Sequence, residues 1–251
     1  MPRPHRLFAA LPLLFALTLS AEPLQILVED AASPWSRPDG SGYANTIVRE
    51  AFLARGIAID LVVVPYARCK ARVMSGEAVA CFNMAWEPSL QGLVSFSDLP
   101  LYTSEAQVFT AASPTPAHPQ RLSDLPAGSH FGLVNGYEYP PEVMAALRRF
   151  NIDYSNNETT LLKKLVLRRI HYAVLVTDPK KQAAQLITQA GIAPSRVRYL
   201  FTAGSQGVYI GFSRRHPQGN AARLAFNEGM DSISTRLPQL LQADNPASQL
   251  R

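Results

Sequence analysis

The side chains here that could do chemistry are aromatic, acidic and basic, and they gather at loops and helix starts. Trp35 lies in a Pro- and Ser-rich stretch, Tyr66 and Arg68 follow Pro65, and Trp86 precedes Pro88. Tyr137, Glu138 and Tyr139 follow the turn pair Asn135-Gly136. Aromatic rings can wall in a ligand, an arginine fork clamps a carboxylate or phosphate, and a carboxylate such as Glu138 suits a cationic group. The set suggests a small zwitterionic or cationic ligand, amine-bearing or a modified amino acid. No spacing fits a catalytic triad, a phosphate loop or a metal cluster. His171 reads as a strand-edge residue, and Lys163, Lys164, Arg168 and Arg169 as a solvated helix face. Cys69 and Cys81 are too few for a zinc site and have no His near them in sequence. They read as a disulfide closing a short loop, or else as two buried thiols.

The N-terminus has the pattern of a secretory signal: basic Arg3, His5 and Arg6, an apolar run from Leu7 to Leu19, then small Ser20 and Ala21. That apolar run is short for a membrane span, which needs roughly 20 residues. Residues 1–21 are therefore expected to be a signal peptide and the mature protein to be soluble and periplasmic. The chain carries 24 Lys and Arg against 19 Asp and Glu; losing Arg3 and Arg6 leaves 22 against 19, a charge of +3. Such a mild, scattered excess gives no concentrated face for nucleic-acid phosphates. About 230 mature residues suffice for one large domain or two lobes.

Those residues need elements to hold them. Leu24 to Val28 reads as a buried strand, Tyr43 to Arg55 as a helix, Ile57 to Val64 as a β-branched strand, Pro65 to Met74 as a helix and Ala78 to Met84 as a strand. This alternation implies an α/β sheet with parallel strands. After a proline-rich connector at 111–119 the logic recurs. Strands are expected at Phe131–Val134 and Tyr172–Val176, with helices from Pro140 or Pro141 to Phe150, Glu158 to Arg168 and Lys180 to Ala190. A strand at Val208–Phe212 and a helix from Asn220 to Arg236 close the chain.

The run Phe96-Ser97-Asp98-Leu99-Pro100-Leu101-Tyr102 resembles the "FSDPY" signature of family 3 extracellular solute-binding proteins. Other segments match in order: Ser33-Pro34-Trp35, Pro65-Tyr66, Ser75-Gly76, Glu87-Pro88-Ser89-Leu90, Leu122 to Leu125, Gly132 to Gly136 and Val208 to Phe212. The resemblance implies a two-lobed, type II periplasmic-binding α/β fold with a hinge. Lobe 1 is expected over 22–110 plus 205–251, and lobe 2 over 111–204. It places the ligand between the lobes, with Trp35 at the aromatic stacking position, Gly136 offering backbone donors, and Asp178 or Thr177 receiving an ammonium. Arg68 could stand in for the family's carboxylate-binding arginine, whose place is taken by Leu90. Asn83 and Ala85 occupy positions where the family has hydroxyls, and Tyr137 and Glu138 replace its lobe-two threonines, so an ordinary α-amino acid is not the expected ligand.

The expected site is Trp35, Tyr66, Arg68, Asn83, Trp86, Gly136, Tyr137, Glu138 and Asp178. No cofactor is called for. The resemblance implies a monomer that hands a small polar ligand to an inner-membrane ABC permease. Two other functions stay open: a dehydratase-like enzyme on the same scaffold with Glu138 or Glu29 as general acid, and a ligand-sensing module for a membrane receptor.

Overall fold

The computed structural model describes residues 22–30, 32–113 and 118–243. The expected signal peptide at 1–21 and part of the proline-rich connector lie outside them. The chain runs β1 (Leu24–Glu29), α1 (Tyr43–Leu53), β2 (Ile59–Val64), α2 (Tyr66–Ser75), β3 (Ala80–Met84), β4 (Val94–Phe96) and β5 (Tyr102–Ala111). It continues with β6 (His130–Val134), α3 (Pro141–Leu147), β7 (Asn151–Ser155), α4 (Glu158–Val166), β8 (Tyr172–Thr177) and α5 (Ala183–Gln189). The last elements are β9 (Val197–Ser213), α6 (Gly219–Ile233) and α7 (Leu237–Ala243).

Strand order is β2-β1-β3-β9-β5-β8-β6-β7, with β4 also on β9. β1 pairs in parallel with β2 and β3, and β6 in parallel with β7 and β8. These parallel strands are covered on both faces, which is why Ile26, Leu27 and Val28 are all buried and read as an unbroken apolar run. On one face of the first half, Ile26, Val28 and Phe82 pack with Ile47, Phe52 and Phe226 from α1 and α6. Gly229 lets those two helices touch, since a Cβ there would lie 2.0 Å from the Ala51 carbonyl oxygen. The opposite face packs Leu27, Cys81 and Met84 against Tyr66, Cys69 and Val73 of α2. Separate cores in the second half bury Phe131 with Val143 and Leu147, and Leu161 with Leu175 and Ile187.

β9 joins the halves. Its last residues pair antiparallel with β3 and β4, whereas Val197 to Val208 pair with β5. β5 and β9 thus run side by side between the two sheets.

Several boundaries differ from the sequence expectation. The helix expected to reach Phe150 stops at Leu147, and Asn151–Ser155 forms a parallel edge strand instead. The last strand begins at Val197 rather than Val208. α5 starts at Ala183, because the Asp178 carboxylate accepts from the Lys180 and Lys181 N–H groups and holds that stretch in a turn. The helix expected over Asn220 to Arg236 is α6 followed by a short 3₁₀ turn at Ser234–Arg236, and α7 follows beyond that expected end.

Candidate functional site

The carboxyl ends of β1, β3, β6 and β8 meet at one crevice, where open α/β sheets place their ligands. β1 ends on Glu29, β3 leads to Ala85, β6 leads to Tyr137 and Glu138, and β8 leads to Asp178. Side chains from the two halves meet directly there. Trp35 Nε1 donates to Asp178 Oδ2 at 2.7 Å. Tyr137 Oη donates to Glu29 Oε1 at 2.7 Å, and Tyr66 Oη donates to Glu138 Oε2. Lys70 Nζ sits 2.9 Å from Glu138 Oε1 and 2.6 Å from Glu87. The Ala85 N–H also donates to Glu138, at 3.2 Å.

Between these groups lies a cavity of about 30 Å³, with Glu29, Asn83, Tyr102, Ser104, Glu138 and Asp178 among its walls. Trp35 forms part of its surroundings by stacking on Tyr102, with ring centroids 3.8 Å apart and planes 8° from parallel. Tyr102 Oη reaches Asn83 Oδ1 at 3.4 Å. Ser104 Oγ is buried without a hydrogen-bond partner.

Burial dominates the electrostatics. Desolvation pushes the Glu29 carboxyl up to about 7, against the opposing pull of Lys181 and the Tyr137 hydroxyl. It also raises Glu138, again opposed by Lys70. Burial, reinforced by nearby carboxylates, holds Tyr66, Tyr102 and Tyr137 well above the usual phenol range, so all three act as neutral donors. For Lys70 and Lys181 burial disfavours the charge, but their carboxylate neighbours outweigh it and keep both ammoniums protonated. Lys181 is held by Glu158 at 2.6 Å. Lys180 lies over the Tyr43 ring, 4.0 Å from its centroid.

Of the expected site residues, Trp35, Tyr66, Asn83, Tyr137, Glu138 and Asp178 come together around this crevice. Arg68 does not. At 100° per residue, Tyr66 and Lys70 share one face of α2 while Arg68 projects from the opposite one, where it is exposed. Trp86 is also elsewhere: it is 45 % exposed and lines a surface groove with Phe96, Arg214 and Arg223. Gly136 sits at the seam between the halves, but not as the expected donor before a helix. Its carbonyl accepts from Lys70 at 3.2 Å, and α3 begins five residues later. Its φ of +86° and the 3.2 Å that would separate a Cβ from the Ala67 Cβ make it a close-approach glycine.

Lys70, Tyr102, Ser104 and Lys181 were missed as site residues. Lys70 was recoverable from its i+4 spacing to Tyr66. Ser104 and Lys181 carry no local signal, since only the tertiary fold turns them inward. Cys69 and Cys81 form a disulfide, with Cα atoms 5.8 Å apart, that ties α2 to β3 behind the crevice. Among the described residues no group of three His, Cys, Asp or Glu is placed to hold a metal ion, and no helix is long and apolar enough to cross a membrane.

No protein-family profile matches the chain, and no curated protein matches its sequence. Solved structures do match its fold. A histidine kinase sensor domain with similarity to periplasmic binding proteins superposes with a TM-score of 0.72 at 13% identity, over 90% of this chain and 96% of that one. The arginine-, lysine-, histidine-binding protein ArtJ of Geobacillus stearothermophilus gives 0.69 at 13% identity, over 88% and 94%. The BvgS VFT2 domain of Bordetella pertussis gives 0.67 at 14%, over 88% and 93%. The chain therefore has the two-lobed fold of periplasmic binding proteins, with β5 and β9 running between the lobes.

Proposed function

We propose that the protein captures a small amine-bearing cation in the interlobe cleft. The observation that carries this reading is the charge of the cavity wall: of its three carboxylates, Glu29, Glu138 and Asp178, Lys70 pairs Glu138 alone, and the one basic residue on the wall, Lys181, is already held by Glu158. Among the described residues Glu29 has a single side-chain hydrogen-bond partner, the Tyr137 hydroxyl, and the Ser104 hydroxyl on the same cavity wall has none. An ammonium supplies the donors both lack, and the aromatic walls favour a cation further. Lobe 1 would comprise 22–110 with 205–251, and lobe 2 111–204. Export through a signal at 1–21, a periplasmic location, a monomeric state and delivery to an ABC permease complete the reading.

One observation favours a second role for the same site. Tyr137–Glu29, Tyr66–Glu138 and Trp35–Asp178 bond directly across the cleft, so the lobes hold contacts with each other. A sensing module, like the kinase sensor domain whose fold it shares, would read the exchange of those contacts for a ligand. Thermal unfolding with amines, amino acids and organic acids tests the reading. Amines should raise the midpoint by mass action and be recovered unchanged. Turnover of the amine would replace the binding role with catalysis, and a response to organic acids alone would overturn it.

A further inference from the structure

The cleft has a second compartment. Beyond Tyr137 and Glu29 the structure opens into a vestibule of about 370 Å³. Glu29, Tyr66 and Tyr137 line both spaces, so the Tyr137–Glu29 hydrogen bond stands as the partition between them. The inner cavity, at about 30 Å³, has the volume of one water molecule in the liquid. It suits an ammonium or methylammonium head. The vestibule is in the size range of small-molecule sites, roughly 300–1,000 Å³.

The vestibule's chemistry is as one-sided as the cavity's. Pro65, Ala67 and Val134 give it an apolar wall; Asp30, Asn135 and Asn156 give it oxygen acceptors; no Lys or Arg lines it. Asp30 forms no ion pair or hydrogen bond among the described residues. A carboxylate on the ligand would find no cation in the vestibule lining. Lys70 is paired with Glu87 and Glu138, Lys181 with Glu158, and Arg68 lies on the opposite face of α2. An apolar wall between two acids that form no ion pair among the described residues matches an alkyl chain with a cation at each end.

We propose that the ligand is an elongated dication of the linear α,ω-diamine class. One ammonium occupies the inner cavity against Glu29 and the unpartnered Ser104 hydroxyl. The methylenes run along Pro65, Ala67 and Val134, and the second ammonium rests at Asp30. The inference rests on the cation-binding reading above and adds its length and second charge.

Titration calorimetry on the intact mature protein at pH 8 tests it with 1,5-diaminopentane, 1-aminopentane and lysine. The diamine should bind about tenfold or more tighter than the monoamine, the scale of one further partly buried charge pair. Lysine, which adds a carboxylate, should bind more weakly than the diamine. Asp30→Asn should bring the diamine down to the monoamine's affinity and leave the monoamine's unchanged. Comparing ligands on the unmutated protein keeps the test independent of any variant's folding. Equal affinity for both amines, equal loss of both in Asp30→Asn, or lysine as the tightest ligand would overturn the dication inference while leaving a cation site. Failure of both amines to bind would remove the cation-binding reading and this inference with it.

Discussion

Glu29 is the residue whose protonation couples most strongly to the state of the cleft. In an unfolded chain its carboxyl titrates near 4.5, and burial moves it to about 7. Between those values the folded protein holds a proton that the unfolded chain has lost, so stability falls as pH rises through this window. The penalty is absent below 4.5 and complete above 7, where it amounts to ~3 kcal/mol. Urea unfolding of the unliganded protein should therefore show greater stability at pH 5 than at pH 8 from this group. Glu29→Gln should flatten that difference; an unchanged slope in the variant would assign it to other groups. A cation seated against Glu29 favours the carboxylate and expels the proton. Amine affinity should consequently rise with pH towards 7, with release of about one proton per ligand at pH 6, read from calorimetry in buffers of different ionisation enthalpy. Lys70 tests the opposite balance. Lys70→Met leaves Glu138 buried without its cation and should destabilise the protein by ~3 kcal/mol, measured by the same unfolding titration at pH 8.

Among the elements, α2 and β3 supply Tyr66, Lys70 and Asn83 to the cleft, and the disulfide between Cys69 and Cys81 fastens them together. The two cysteines are 12 residues apart in sequence. Closing so short a loop is worth about 3 kcal/mol in the unfolded chain, so Cys69→Ala with Cys81→Ala should lower stability by that order. Reduction of the native protein should reproduce the loss, and no change on reduction would show that the bond contributes nothing. Which elements were legible from sequence follows from burial. β1 and β8 are buried apolar runs within the sheet and β2 is a β-branched run at its edge, and they are legible for that reason. β7, Asn-Ile-Asp-Tyr-Ser, is an edge strand with one apolar and several polar residues, and its composition is that of a turn. The first half of β9 contains Gly204 and Gly207, and its pairing with β5 shifts register twice, so its alternation is broken. At the site, loop aromatics and the acids after β6 and β8 were legible because residues at strand ends point into the crevice. Arg68 misled because its charge fitted the expected chemistry, whereas helical period places Lys70 on the cleft face.

For the whole molecule, the proposed function rests on two lobes that meet over a cleft which their own side chains nearly fill. At the seam the Gly136 backbone lies close against Ala67. Gly136→Val adds bulk at a φ of +86° and a 3.2 Å approach, and should hold the lobes apart. Small-angle scattering should then give a larger radius of gyration than the native protein, and amine affinity should fall because both cavities are built from the two lobes together. An unchanged radius with unchanged affinity would show that closure does not pass through this contact. The fold is shared with amino-acid-binding proteins and with sensor domains, so fold alone does not choose the ligand; the proposed choice rests on the acidic, aromatic-walled cleft. The most direct test is a paired calorimetric titration of the intact protein at pH 8 with a linear alkylamine and with the carboxylate of the same chain length. The account predicts saturable heat with the amine and none with the carboxylate. Saturable binding of the carboxylate, with no heat from the amine, would contradict it.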